Sequence, residues 1–152
     1  LSLHDALPIL IKNGKGIEKL KEFVAAQGGN PDSVDDTSLL PSASIVEPVL
    51  ATEDGYVKAI KADDVGIAAL VLGAGRETKE SEIDLGVGLV LHKKIGDFVK
   101  KGEAIATIYA NDQDKQKESE RRLRAAYTFV SEKVETKKLI RGIVTKDGIE
   151  KF

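Results

Sequence analysis

The chain predicts an α+β fold, and three observations carry that reading. Short apolar runs with a period of two interleave with helical stretches, in an order that does not repeat a strand-helix-strand unit. The clearest strand pair, Gly88 to Ala110, is organised around two glycine turns, at Gly96-Asp97 and Gly102. The 152 residues are 41% hydrophobic and 32% charged, which suits a folded core and argues against wholesale disorder.

Taken in order, Ile17, Leu20, Phe23 and Val24 recur at helical spacing from Lys15, with Lys19, Lys21 and Glu22 opposite, and Gly28-Gly29 supplies a left-handed stop. This predicts a surface helix with one buried stripe. Asn30-Pro31 breaks it, Asp32 to Asp36 fits a single helical turn, and Leu39-Leu40-Pro41 closes a connector that marks a domain boundary. Ile45 to Ala51 is a strand that Pro48 confines to an edge, and Asp54-Gly55 predicts a hairpin into Tyr56, Val57, Ala59 and Ile60. Ala62 to Leu72 reads as a short apolar helix with Val65, Ala68, Ala69 and Leu72 on one side, capped by Asp63 or Asp64. After the loop Gly73 to Ser81 come the paired strands, in which Leu89 and Leu91 alternate, Phe98-Val99 is a short extended piece and Ala104 to Tyr109 is the return. A polar helix from Asp114 to Val130 follows, with Leu123, Ala126, Tyr127 and Val130 as its stripe, and then a last strand, Leu139 to Thr145.

Composition excludes several function classes. A net charge of -2 leaves no electrostatic footprint for nucleic acid or an anionic membrane. No run reaches a membrane-spanning length and no signal segment is recognisable, so a cytoplasmic setting is expected; the absence of cysteine removes disulfides and thiolate chemistry and fits that setting. The chain also lacks methionine, so it reads as a fragment, and residues 1–9, without a clear helical or alternating pattern, read as a non-native leader.

No constellation of catalytic residues emerges. Leu72-Gly-Ala-Gly-Arg76 suggests an anion loop, but it ends a helix, whereas a phosphate loop follows a strand and opens one. His4 and His92 are too few for a metal site, and His92 beside Lys93 and Lys94 reads as a solvated turn residue. Lys93, Lys94, Lys100 and Lys101 form a basic face without interleaved aromatics, which suits solubility and protection of a sheet edge. Glu77, Glu80, Glu82 and Asp84 make a charged loop, and Glu118, Glu120, Arg121, Arg122 and Arg124 make helix-surface pairs. Catalytic, cofactor-binding and metal-binding residues are all assigned as none.

The Gly-Asp turn, paired lysines, Gly102-Glu103 and apolar strand resemble the biotinyl and lipoyl domains, which carry a cofactor on a hairpin-tip lysine. Superposing Ile105 to Ala110 on that strand puts Asp112 at the lysine position, and a carboxylate cannot make the amide link. A non-enzymatic carrier or interaction module of this type is the alternative reading.

A second resemblance covers more of the chain. Gly28-Gly29-Asn30-Pro31, Gly55-Tyr56-Val57, Leu72-Gly-Ala-Gly-Arg76-Glu-Thr-Lys79, Ile83-Asp84, Val87-Gly88 and Lys94-Ile-Gly-Asp97 through Tyr109-Ala-Asn111 are similar to the C-terminal third of the pyrimidine-nucleoside phosphorylase, or thymidine phosphorylase, family. The resemblance runs from about Lys15 to about Arg124; Gly16 stands where an alanine is usual, and the tail after Phe129 is longer. It implies that residues 10–43 end a central α/β domain and 44–130 form the C-terminal domain. That domain is expected as an α/β-hammerhead-like lobe with barrel-sandwich β-hairpins, and 131–152 as an extension. The implied activity is reversible phosphorolysis of uridine or thymidine to the base and a pentose 1-phosphate, by a homodimeric pentosyltransferase of pyrimidine salvage. Phosphate, nucleoside and a potassium ion are held in that family by motifs upstream of these residues, so the fragment alone is expected to be inactive and structural.

Overall fold

The computed structural model describes residues 3–136 and 139–152, which divide into two units, Leu1–Ser42 and Ala43–Phe152. In the first unit, helix α1 (Leu3–Lys12) precedes helix α2 (Lys15–Ala26), and Gly14 at φ 78° makes the turn between them. Helix α1 is not evident from the sequence: Leu7, Leu10 and Ile11 have helical spacing, and Pro8 inside the helix masks the pattern. The end of α2 shows why two glycines follow it. Gly28 adopts φ 79°, the Gly28 N–H donates to the Ala25 carbonyl, and the Gly29 N–H donates to the Val24 carbonyl at 2.9 Å. A 3-10 turn, Pro31–Val34, is capped by the Asn30 side chain, which accepts from the Asp32 N–H; a second, Thr37–Leu39, is capped by Asp36. The stripe of α2 is present but not buried: Ile17, Leu20 and Phe23 are exposed, Phe23 at 62%.

The second unit holds two three-stranded antiparallel sheets. Strands β1 (Ile45–Leu50), β3 (Gly88–Leu91) and β5 (Ala104–Ala110) lie in the order β1-β5-β3; β2 (Gly55–Ile60), β4 (Phe98–Val99) and β6 (Tyr127–Val130) lie in the order β4-β2-β6. Pro48 therefore does sit in an edge strand, opposite Thr107. Gly88 to Ala110 is a hairpin, with Leu89 opposite Ile108 and Leu91 opposite Ala106, but its middle leaves to join the other sheet, where Phe98 pairs with Tyr56 and the two rings meet edge to face at 5.0 Å.

The hairpin predicted at Asp54-Gly55 does not form. Strands β1 and β2 lie in different sheets, because Val49 and Val57 are both fully buried in one core and each strand takes its partners elsewhere. The crossing is fastened by backbone bonds, Ala51 N–H to the Glu103 carbonyl and Gly102 N–H to the Ala51 carbonyl, each 2.8 Å, and by the Lys101 N–H donating to Asp54 Oδ1. Gly55 is a close-approach position, since a Cβ there would stand 3.0 Å from the Val130 carbonyl oxygen.

Helix α3 (Ala62–Ala69) continues through a wider turn, Leu70–Ala74, and buries Ala68 and Leu72. Neither Asp63 nor Asp64 caps it: Lys61 holds the cap position, and the two carboxylates act from the first turn, where the helix dipole favours them. Helix α4 (Gln113–Ala126) packs on α3, with Leu123 and Ser119 fully buried and the Ser119 hydroxyl donating to the Ala68 carbonyl at 2.8 Å. The expected helix to Val130 is corrected, because Tyr127 turns extended at ψ 139° and Tyr127-Thr-Phe-Val130 pairs with β2. Its aromatic and β-branched residues favour a strand, and Tyr127 and Phe129 stack on one side of it at 5.9 Å. The last strand starts later than expected: β7 (Gly142–Thr145) and β8 (Gly148–Lys151), built from the charged end, form a separate exposed hairpin.

Candidate functional site

The glycine-rich run sits where α3 stops. Gly73 adopts φ 103°, a left-handed conformation that ends the helix, and Gly75 lies against Leu70, where a Cβ would stand 2.9 Å from its Cδ1. The chain then makes a ten-residue excursion, Ala74 to Ile83, closed at its base by the Asp84 N–H donating to the Gly73 carbonyl at 3.0 Å. Within it Thr78 and Ser81 bond one another, while Arg76, Glu77, Lys79 and Glu80 face solvent. Helix α3, not a strand, leads into this loop, so its geometry is that of a helix stop and surface loop.

Asp84 differs from the other carboxylates of the segment. Its Oδ1 accepts from the Gly86 N–H at 2.9 Å and its Oδ2 from Asn111 Nδ2 at 2.8 Å, while Asn111 Oδ1 accepts from the Ser44 N–H at 2.8 Å. The Asn111 amide, then the Gly86 N–H, hold the Asp84 carboxyl below its ordinary pKa. This network eluded the sequence reading because Ser44, Asp84 and Asn111 are far apart in the chain. The one local signal was an Asn left over at the end of a strand, beside a capping Asp.

At the tip between β3 and β5 the basic residues enter the hydrogen bonding through one ammonium and through backbone N–H groups. Lys93 pairs with Glu103 at 2.5 Å, Glu103 accepts from the Lys100 N–H, and Asp97 Oδ2 accepts from the Lys94 N–H. The Lys93 ammonium, followed by the Lys100 N–H, lowers the Glu103 pKa. His92 lies against Thr107 Oγ1 at 2.7 Å across the strand pair. The Tyr127 hydroxyl donates to the Lys93 carbonyl, and burial raises its pKa. These bonds tighten two glycine turns.

Asp112 stands at no hairpin tip. Strand β5 runs straight into α4, and the Asp112 carboxylate caps that helix by accepting from the Asp114 and Lys115 N–H groups, both at 2.9 Å; those bonds, Lys115 first, hold its pKa low. The position that would carry a swinging cofactor is thus used to start a helix. Along α4, Glu118 binds Arg121 and Arg122, and the Arg121 bond leads in pulling its pKa to about 2. Arg124 joins Glu120 at 2.7 Å and reaches the Leu50 carbonyl at 2.6 Å, tying the helix to β1. Among the described residues no three His, Cys, Asp or Glu side chains are grouped to hold a metal ion, and no helix is long and apolar enough to cross a membrane.

Comparison with known proteins places this lobe. Residues 56–130 match the family described as the pyrimidine nucleoside phosphorylase C-terminal domain, a span that runs from β2 to the end of β6. The pyrimidine-nucleoside phosphorylase of Geobacillus stearothermophilus is 54% identical over 123 residues, covering 76% of this chain and 28% of the relative. That of Bacillus subtilis strain 168 is 53% identical over 105 residues, covering 69% and 24%. A Staphylococcus aureus strain USA300 relative of the same name is 44% identical over 116 residues, covering 74% and 27%. The chain spans about a quarter of the length of the curated relatives it matches. With the matched domain folded as one two-sheet lobe and the identity extending beyond it, the chain belongs to the pyrimidine-nucleoside phosphorylase family.

Proposed function

We propose that the whole protein is a homodimeric, cytoplasmic pyrimidine-nucleoside phosphorylase, in which residues 10–43 end the central α/β domain, 44–130 form the C-terminal domain and 131–152 an extension. The reaction is reversible phosphorolysis of uridine or thymidine. A phosphate oxygen bonds to the sugar carbon as the carbon–nitrogen bond to the base breaks, leaving the free base and a pentose 1-phosphate. Phosphate is the co-substrate, and a potassium ion belongs to the same reading.

Identity of 54% over 123 residues to the Geobacillus stearothermophilus protein is the observation that carries this reading. Within it, the two sheets sharing one core support an α/β-hammerhead-like lobe of barrel-sandwich type, whose part is to brace the larger domain during the closure that joins phosphate and nucleoside. Replacing the matching part of that relative by residues 44–130 of this chain tests it. The chimera is expected to form base from uridine only when phosphate is present. A folded chimera without phosphate-dependent turnover overturns the proposal, and so does uridine phosphorolysis by the 152-residue chain alone.

A further inference from the structure

The segment that enters the second unit and the glycine-rich loop meet on one side chain. Ser44 lies two residues past the boundary at Ser42, and its N–H donates to Asn111 Oδ1 at 2.8 Å. Across the same amide, Asn111 Nδ2 donates to Asp84 Oδ2 at 2.8 Å, and Asp84 closes the loop base through its N–H on the Gly73 carbonyl and its Oδ1 on the Gly86 N–H. The Asn111 amide thus uses its oxygen on one side and its nitrogen on the other. The amide can serve both neighbours in only one orientation, oxygen toward Ser44 and nitrogen toward Asp84. Asn111 is itself held, since it follows the last residue of β5 and precedes the cap of α4, two elements with buried residues.

We propose that Ser44, Asn111 and Asp84 form a latch through which the incoming chain segment sets the position of loop Ala74–Ile83, with Asn111 as the positioning residue that joins them. The backbone bond from the Asp84 N–H to the Gly73 carbonyl closes the loop base without Asn111; the amide adds the tie from that base to the chain entering at Ser44, so its release loosens the base while the core stays packed. The coupling rests on these bonds and holds whichever reaction the whole enzyme runs.

The test uses the 152-residue chain, with amide hydrogen exchange read at Asp84 and Gly86 and trypsin cleavage read after Arg76 and Lys79. Asn111→Asp keeps the acceptor for Ser44 but sets a carboxylate against Asp84, and is expected to speed both readouts about tenfold, the rate factor of a lost bond worth about 1.4 kcal/mol, while Ile108 and Leu123 amides exchange as before. The double variant Asn111→Asp with Asp84→Asn exchanges donor for acceptor and is expected to restore both readouts. Ser44→Pro, which removes the entering N–H and also fixes the backbone at that residue, is expected to raise exchange at Gly86 by a smaller factor, with Ser44→Ala, which keeps the N–H, exchanging as the parent does. Unchanged loop exchange in Asn111→Asp, failure of the double variant to restore it, or no response at Gly86 to Ser44→Pro overturns the latch.

Discussion

The two units use apolar residues differently. In Leu1–Ser42, α2 carries a regular stripe and none of its residues is buried; in Ala43–Phe152, residues from both sheets, α3 and α4 share one core that includes Val49, Val57, Ile105, Ile108 and Leu123, all at or below 1% exposure. Helical periodicity sufficed to make α2, with a glycine stop and an Asn cap downstream, but periodicity alone supplies no partner surface. The lesson is that pattern specifies an element's face, and stability comes from what that face meets.

The sharpest way to break this contrast is to truncate one leucine in each unit. Leu123→Ala is expected to cost about 2 to 5 kcal/mol of unfolding free energy in urea, because it removes a fully buried side chain, while Leu20→Ala, at an exposed position, stays within about 0.5 kcal/mol. Equal costs would erase the distinction. Asp112→Ala sharpens the role of α4 within the core unit: loss of the cap on the Asp114 and Lys115 N–H groups is expected to cost about 0.5 to 2 kcal/mol in the same measurement.

Glycines offer a smaller, signed comparison inside the second unit. Gly66 lies within α3 with nothing near its added Cβ, so Gly66→Ala is expected to stabilise by about 0.5 to 1 kcal/mol. Gly96 adopts φ 94° and its Cβ would stand 2.3 Å from Thr136 Cγ2, so Gly96→Ala is expected to destabilise, with thermal melting giving the sign in both cases. The weakest effect is electrostatic. Glu118 is a group whose folded pKa, about 2, lies below its ordinary 4.5, so its contribution is present above the ordinary value and disappears as pH falls toward about 2. Comparing the urea midpoints of the parent chain and Glu118→Gln across that window is expected to show a small difference that closes at the acid end and shrinks with added salt.

Much of this was legible locally. The stop at Gly28-Gly29, the edge position of Pro48, the buried side of Val65, Ala68 and Leu72, and the helix-ending role of Gly73 each depend on neighbours a few residues away. The readings that failed concern partners. Asp54-Gly55 carries a genuine turn signal, yet no local rule reports that Val49 and Val57 belong to different sheets over one core. Tyr127 and Val130 extended a helical stripe by period, until pairing with β2 claimed them. Family resemblance, by contrast, was readable because it lies in the order of short motifs.

By itself, the sequence determined the α+β class, the two glycine turns of the long hairpin, the loss of any attachment lysine at Asp112 and the membership in a phosphorylase family. Tertiary structure alone decided that β4 deserts its hairpin for the second sheet and that Asn111 joins Ser44 to Asp84. The reason is physical: propensities, caps and turn chemistry act over a few residues, whereas sheet pairing and hydrogen-bond networks depend on which distant groups the shared core brings within reach.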